Sequence, residues 1–214
     1  MSTDLERYIL AHTSPEDPVL AELDRQTHLR VIQPRMLSGH LQGKILELLI
    51  TLINPQYVLE LGTFTGYSAI AMARGLSREG AVLHTVEIND ELYDFAAEYI
   101  EKAGLRERIV QHVGPALEVV PQLGLCFDVV FIDADKREYP DYFRMLMDGG
   151  WVHSGSVILA DNVLWSGKVT QEDIPQGDRQ TLGLLEFNRM VRDDPRVEQV
   201  IIPLRDGLSL IRVK

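Results

Sequence analysis

Three oxygen-bearing side chains stand immediately after two apolar runs of the sequence. Asp133 follows residues 127–132, and Asp161 and Asn162 follow residues 156–160. Ligands of an open parallel sheet bind outside the carboxyl ends of its strands, so these side chains would converge if the two strands are neighbours. Two carboxylates and an amide oxygen form a hard site that suits magnesium, manganese or calcium rather than zinc, with coordination positions left open for catalysis. The sequence predicts a metal site, although each residue alone is also typical of an ordinary loop start.

Lys136 follows Asp133 by three residues and is a candidate general base. Beside a divalent cation its ammonium form is disfavoured, so its pKa should fall toward a useful range. Asp135 acts in the opposite direction, because a nearby carboxylate favours the charged lysine. The alternative is a solvated surface lysine.

The first apolar run ends in a turn that carries an acid, two glycines and a serine, namely Glu60, Gly62, Gly66 and Ser68. The glycines let the backbone pass close to a ligand, and the serine can cap a helix or donate a hydrogen bond. The third glycine of the dinucleotide fingerprint is missing, and an acid suits a ligand with an amino group better than a pyrophosphate. An ordinary strand-to-helix turn is the competing interpretation.

Glu87 ends the second apolar run and is a candidate for ribose binding. An acid at this place in nucleotide-binding sheets accepts hydrogen bonds from ribose hydroxyls. A solvated strand-end carboxylate is an equal alternative for Glu87 alone. Together with the first turn, it favours an adenosyl ligand.

Apolar runs that alternate with helical segments predict the frame that positions these side chains. The predicted strands are residues 57–61, 81–88, 109–113, 127–132 and 156–160, and the predicted helices are residues 68–76, 90–103 and 182–191. This alternation requires right-handed crossovers and gives a Rossmann-like, doubly wound parallel sheet of the α/β class. Residues 198–204 and 208–213 are joined by Arg205-Asp206-Gly207, a connection short enough to predict an antiparallel hairpin.

The segment before position 55 has a helical pattern. One helix face is predicted to be apolar and carries Leu41, Ile45, Leu48, Leu49 and Leu52. Pro55 limits this helix. We expect residues 1–54 to form a helical cap on an α/β core of residues 55–214, within a single domain of 214 residues.

Composition excludes several classes of protein. A net charge of −11 argues against a nucleic-acid binder. The single cysteine, Cys126, cannot form an internal disulfide, and its apolar neighbours predict a buried residue in a reducing compartment. The amino terminus lacks the features of a signal peptide, and no later window is long enough to span a bilayer. We therefore expect a cytoplasmic protein without a membrane partner.

Six stretches of the chain resemble the class I, cation-dependent O-methyltransferases of the catechol and caffeoyl-CoA type. They are residues 58–68 (VLELGTFTGYS), 85–89, 102–104, 127–136 (FDVVFIDADK), 161–167 (DNVLWSG) and 186–188. The similarity runs from about Leu41 to the end of the chain. Residues 33–40 follow the family pattern only loosely, and in relatives this segment helps to cover the cofactor and the acceptor.

The resemblance implies a role for each candidate residue. The methionine end of S-adenosylmethionine would contact Glu60, Gly62, Gly66, Tyr67 and Ser68. Glu87 would hold the ribose, and Ala116 in the Gly114-Pro115-Ala116 turn would line the adenine. The metal ligands would be Asp133, Asp161 and Asn162, with Asp133 also at the cofactor and reaction centre and Lys136 as the base. The implied fold is a seven-stranded sheet with one antiparallel strand, and the implied assembly is a homodimer formed through the amino-terminal helices.

These assignments predict transfer of a methyl group to one hydroxyl of a catechol-like or other vicinal-diol acceptor. Trp165 is either an aromatic wall of the acceptor pocket or a packing residue. Methylation of a hydroxylated RNA base is a first alternative, which a basic groove around Arg30, Arg35 and Lys44 would favour. A regulatory protein that binds the cofactor without turnover is the second.

Overall fold

The computed structural model describes residues 3–214 and contains a sheet with helices on both faces. The helices are α1 (Thr3–Ala11), α2 (Pro18–Arg30), α3 (Gly39–Ile53), α4 (Tyr67–Arg74), α5 (Tyr93–Lys102), α6 (Ala116–Leu123), α7 (Tyr139–Asp148) and α8 (Arg179–Asp193). The strands are β1 (Tyr57–Leu61), β2 (Val82–Glu87), β3 (Ile109–Val113), β4 (Phe127–Ile132), β5 (Val152–Asp161), β6 (Val197–Ile202) and β7 (Leu208–Val213). Short 3-10 helices lie at Pro34–Met36, Asp90–Leu92 and Trp165–Thr170.

The seven strands have the order β3-β2-β1-β4-β5-β7-β6. Strands β1 to β5 pair in parallel, whereas β7 is antiparallel to both β5 and β6. The predicted α/β fold with its carboxyl-terminal hairpin is confirmed. The order reverses between β1 and β4, and a crevice that binds ligands forms at such a switch point.

Both faces of the central strands are buried, which explains why these strands have nearly continuous apolar sequences. Val58 and Val129 pack into a core beneath α2, α3 and α4, whereas Leu59 and Val130 pack on the opposite face beneath α7 and α8. Helices therefore cover the sheet on two sides, and only the loops at the strand ends are left to build a site.

Three elements differ from the sequence prediction. Strand β5 begins at Val152, four residues before the predicted start, because Val152 already pairs with Phe127 ahead of an irregularity in the register. The polar stretch 153–156 conceals this part of the strand. No bounds were predicted from the sequence for helices α6 and α7, which complete the alternation of strands and helices.

The predicted apolar face of α3 is wrong in part. Leu48 and Leu52 are 53% and 80% exposed. The buried face of this helix consists of Gln42, Gly43, Leu46 and Ile50. A Cβ at Gly43 would lie 2.7 Å from a ring carbon of Tyr67, so a residue without a side chain is needed where α3 approaches α4.

Two further expectations are corrected. Cys126 is exposed, because it precedes β4 and the buried positions begin with Phe127. Within the described residues, the 20-residue segment Pro34–Ile53 is apolar enough by length and composition to cross a membrane, contrary to the expectation that no window is long enough. Its buried face packs against α4, as the core helix of a globular domain does.

Candidate active site

The carboxyl ends of β1, β4 and β5 lie side by side and bring the predicted residues together. In the register of the sheet, Leu61 pairs with Ile132, and Ile132 pairs with Ala160. The residues that follow these positions are therefore neighbours, namely Gly62, Asp133 and Asp161. A Cβ at Gly62 would collide with the carbonyl oxygen of Asp133, so this close approach requires glycine.

The carboxylate of Asp161 is buried next to a second carboxylate. Only 2% of the residue is exposed, and its Oδ1 accepts a hydrogen bond from the backbone N–H of Asn162 at 2.8 Å. Burial and then the negative charge of Asp133 raise the pKa of Asp161. A cation bound between these two carboxylates would reduce their mutual repulsion.

Asn162 supplies the third predicted oxygen donor. Its backbone is left-handed, with φ of 58°, and its side chain makes no hydrogen bond to any residue in the range 3–214. In that range no group of three or more His, Cys, Asp or Glu side chains could hold a metal. A site here therefore depends on the amide oxygen as well as the two acids, and such a donor set fits a hard cation.

The loop after Asn162 is strained and is held by the hairpin between β6 and β7. Trp165 and Ser166 have positive φ angles of 47° and 53°. The backbone N–H groups of Ser166 and Leu164 donate to the carboxylate and the carbonyl oxygen of Asp206 at 2.5 and 2.9 Å. The hairpin tip thus fixes the loop that carries the third donor.

Lys136 points its ammonium at the same edge of the sheet. Its side chain is 7% exposed, and Nζ donates to Oδ1 of Asp133 at 2.9 Å and to the hydroxyl of Tyr139 at 2.7 Å. Asp135 instead pairs with Arg137. The carboxylate in direct contact with Lys136 is therefore Asp133 rather than Asp135.

Tyr139 is a member of the site that the sequence interpretation missed. Its buried hydroxyl accepts from Lys136 and lies 3.0 Å from the carbonyl oxygens of both Ile132 and Asp161, to which it can donate. Burial and the charge of Asp133 raise the pKa of Tyr139 well above its ordinary value, so the hydroxyl keeps its proton. The only signal in the sequence was its position, three residues after Lys136.

Glu60 lies fully buried beneath the first turn. The hydroxyl of Thr85 donates to its Oε2 at 2.5 Å, whereas its Oε1 has no partner among the described residues. Burial raises the pKa of Glu60 to about 8, although the nearby hydroxyls of Ser68 and Thr85 act to lower it. An unpartnered buried acceptor fits a ligand that brings an amino group, as S-adenosylmethionine would.

The first turn is built for backbone contacts. Gly66 has φ of 89° and precedes α4, and Ser68 is buried in its first turn. The hydroxyl of Tyr67 donates to Glu16 at 2.5 Å, and its ring packs against Gly43. The side chain of Tyr67 therefore serves the amino-terminal cap, and its predicted cofactor contact would fall to its backbone.

Glu87 faces the same edge from β2. Its carboxylate accepts backbone hydrogen bonds from Phe64 at 2.8 Å and Asn89 at 2.9 Å. Gly114 donates its N–H to the carbonyl oxygen of Glu87 at 2.9 Å, and Ala116 begins α6 just beyond. The predicted ribose and adenine positions are thus adjacent.

Helix α8 closes the site on its far side. A Cβ at Gly183 would crowd the carbonyl oxygen of Lys136, so the helix rests directly on the lysine loop. Asn188 donates to the carbonyl oxygen of Val163 at 2.9 Å. Trp165 is half-buried against the core, which leaves both of its predicted roles open.

The basic groove that would favour RNA is not free. Lys44 forms an ion pair with Glu47 at 2.6 Å, and the guanidinium of Arg30 lies 5.4 Å from the ring centroid of Phe95. Two of the three basic residues named for that alternative therefore have local partners.

Known proteins of similar sequence and structure share this arrangement of the chain. A family model described as O-methyltransferase matches residues 10–214. The chain is 33% identical to caffeoyl-CoA O-methyltransferase 1 of Arabidopsis thaliana, over 99% of this chain and 85% of the relative.

Two solved structures superpose over nearly the full length. One is the O-methyltransferase TomG from Streptomyces achromogenes, involved in tomaymycin synthesis and in complex with S-adenosylmethionine (TM-score 0.90, 32% identity, 99% of this chain and 96% of that one). The other is an O-methyltransferase from Bacillus cereus in complex with S-adenosylhomocysteine (TM-score 0.88, 31% identity, 99% and 98% covered).

Proposed function

The chain belongs to this O-methyltransferase family and is an S-adenosylmethionine-dependent O-methyltransferase of the caffeoyl-CoA type. From that premise we propose that the enzyme depends on a divalent cation and acts on vicinal diols. One observation carries the proposal. Asp133 and Asp161 lie side by side at the carboxyl ends of β4 and β5, next to Asn162 and to the ammonium of Lys136. Membership in a family of enzymes speaks against the regulatory alternative.

The residues of the site divide the work of methyl transfer. Asp133, Asp161 and Asn162 would hold the cation, magnesium foremost and manganese or calcium as alternatives. When bound, it would supply Lewis acidity that lowers the pKa of an acceptor hydroxyl. Two adjacent acceptor oxygens suit such a site, which is the reason to expect a catechol-like substrate.

Lys136 would take the proton of the acceptor hydroxyl at Nζ, with Tyr139 holding that nitrogen in place. The acceptor oxygen forms a bond to the methyl carbon while the carbon–sulfur bond breaks, and the electron pair stays on sulfur to give S-adenosylhomocysteine. Glu60 and Glu87 would bind the amino group and the ribose of the cofactor. Much of the rate would come from holding oxygen, methyl and sulfur in line.

A chelation experiment tests the metal-dependent part of this proposal. Labelled S-adenosylmethionine is incubated with catechols, hydroxycinnamoyl thioesters or hydroxylated RNA, with magnesium or with excess chelator. We expect labelled diol products that disappear with chelator and return with added magnesium. Transfer that is unchanged by chelator would reject the metal, and transfer to RNA alone would reject the small-molecule acceptor.

Assembly and location are further parts of the proposal. The exposed apolar side chains of Leu48 and Leu52 on α3 support a homodimer formed through the amino-terminal helices. Light scattering should give twice the 24.2 kDa mass of the chain, and a monomer would reject this assembly. The cytoplasmic location is testable by cell fractionation.

A further inference from the structure

Gln42 lies buried between a metal-site carboxylate and an arginine of the carboxyl-terminal hairpin. The residue is 1% exposed. Its Nε2 donates to Oδ2 of Asp161 at 2.7 Å across 119 positions of sequence, and its Oε1 accepts from Nη1 of Arg205 at 2.9 Å. One helix residue thus joins two segments that are distant in the chain.

The chemistry of the two partners determines which way the amide of Gln42 points. A guanidinium has only donors, so it must face the oxygen of the amide. The NH₂ group is then directed at Asp161, whose ionised carboxylate can only accept. Arg205 therefore acts on Asp161 through Gln42, without contacting Asp161 in the described structure.

Arg205 is itself fixed at the tip of the hairpin. It has a positive φ of 49°, which is uncommon for a residue with a side chain. Its guanidinium also donates to the backbone carbonyl oxygens of Ser38 and, at 3.3 Å, Leu37. The hairpin thereby holds the segment that precedes α3 and the amide of Gln42 together.

We propose that Gln42 is a positioning residue for the metal ligand Asp161, and that Arg205 locks Gln42 in the orientation this requires. Gln42 holds Oδ2 while the N–H of Asn162 holds Oδ1, so the carboxylate cannot rotate. Each carboxylate oxygen keeps lone-pair capacity for a cation. This inference rests on the proposed function, because it assumes that Asp161 binds metal.

A purely structural role for the same contacts predicts a different result. If Gln42 only satisfied buried polar groups, its loss would lower the melting temperature and leave the affinity for metal in the folded protein unchanged. Groups that hydrogen-bond to a metal ligand change metal affinity typically by about 10- to 100-fold when they are lost. Metal affinity therefore separates the two roles.

The experiment measures Mn²⁺ affinity by calorimetry on the whole chain with S-adenosylhomocysteine bound. Gln42→Leu should weaken Mn²⁺ binding by about 10- to 100-fold, and Arg205→Met should weaken it less. The double variant should be no weaker than Gln42→Leu alone, because Arg205 acts through Gln42. Affinity for S-adenosylhomocysteine, measured without metal, should not change.

Gln199→Leu and Arg212→Met are the matched controls on the same hairpin. Gln199 accepts from Ser209, and Arg212 pairs with Glu198, away from the amide chain of Gln42. Both controls should bind Mn²⁺ like the wild type. Because Arg205 is exposed, Arg205→Met keeps the test decisive if leucine at position 42 prevents folding.

Each outcome supports or rejects a distinct statement. Wild-type protein that fails to bind Mn²⁺ would reject the metal site and this inference with it. Wild-type binding together with wild-type affinity in folded Gln42→Leu and Arg205→Met would overturn the positioning role and leave the metal site intact. Losses that add in the double variant would show that Arg205 does not act through Gln42.

Discussion

Asp128 and Asp161 lie at opposite ends of the neighbouring strands β4 and β5, and their pKa values are displaced in opposite directions. Burial alone would raise the pKa of Asp128, yet backbone N–H donors at Tyr57 and Gln56 and a contact with His153 keep it low. Burial and a neighbouring carboxylate raise the pKa of Asp161. One aspartate is stabilised in its charged form and the other is not.

The same difference separates the two edges of the sheet. At the edge where β4 begins, charges meet complementary partners, as in the exposed pair of Arg196 with Asp148 at 2.8 Å. At the edge where β4 ends, Glu60 keeps a buried oxygen without a partner and Trp165 has a strained backbone. Unfavourable features concentrated at one edge indicate that this edge is built for binding rather than for stability.

The largest effect is expected from Lys136→Met. Loss of the group that accepts the proton should lower turnover by about 10²- to 10⁴-fold. Binding of S-adenosylhomocysteine should be spared, because Lys136 contacts Asp133 and Tyr139 rather than the first turn. Single-turnover kinetics and a cofactor titration measure the two quantities. The control is Lys102→Met, which removes an exposed ion pair with Glu22 and should keep normal turnover. Normal turnover in Lys136→Met would reject the role of Lys136 as the base.

Asp161→Asn should lower activity by at least about 100-fold and abolish its dependence on added metal. The melting temperature should change little, because loss of the buried charge that repels Asp133 offsets the mismatch between the new amide NH₂ group and one of the two donors, Gln42 or the N–H of Asn162. Activity assays with a magnesium titration and thermal unfolding measure the two effects. A variant that loses much of its stability but keeps metal-dependent activity would contradict the conclusion that this edge is built for binding rather than for stability.

A half-buried pair of histidines places an acid-sensitive contact in the body of the sheet. Nδ1 of His84 lies 3.0 Å from Nε2 of His112, an arrangement that needs one donor and one acceptor. Burial and the neighbouring His112 lower the pKa of His84 from 6.5 to about 4. The unfolded chain therefore takes up a proton that the folded chain refuses, and stability falls as pH drops from 6.5 toward 4.

The free energy of unfolding should fall by about 2 kcal/mol over this range. This is less than the full pKa shift of His84 would give, because its ring is only half-buried. Urea unfolding of the wild type and of His84→Leu between pH 7 and 4.5 measures it. The variant should show a flatter dependence on pH. Asp161→Asn should show a steeper one, because the raised pKa of Asp161 lets the folded chain take up a proton that offsets part of the loss. If the free energy of unfolding depends on pH equally in His84→Leu and in the wild type, another group causes the loss of stability in acid.

The strands and the strand-end residues were predictable because each depends on local sequence. The run 127–132 is apolar and Asp133 ends it, so the position of the acid at the carboxyl edge follows from the pattern alone. Tyr139 and Gln42 were not predictable in the same way. Each looks like an ordinary helix residue until the fold places its polar atoms next to Lys136 or Asp161.

Burial was the least predictable property. The neighbours of Cys126 suggested a buried thiol, but burial begins at the first residue of β4. Leu48 and Leu52 are apolar and exposed, whereas Gln42 is polar and buried. Which face of α3 is covered depends on where the ring of Tyr67 and the guanidinium of Arg205 lie, and residues far away in the sequence determine both.

The smallest effect is expected from Asp128→Asn at the opposite edge. Both backbone N–H groups donate to the same oxygen, Oδ2, so an amide oxygen can still accept both, but it lacks the charge that strengthens the two bonds. Unfolding should therefore become easier by about 1 kcal/mol. Because the pKa of Asp128 is lowered, its contribution is present above the ordinary pKa of an aspartate and is lost as pH falls through the folded value. Urea unfolding should therefore show a smaller difference from the wild type at pH 3 than at pH 7. Methyl transfer should be unaffected at neutral pH, since Asp128 lies at the far end of β4 from Asp133; a loss of activity without a loss of stability would mean that the two edges are not separate.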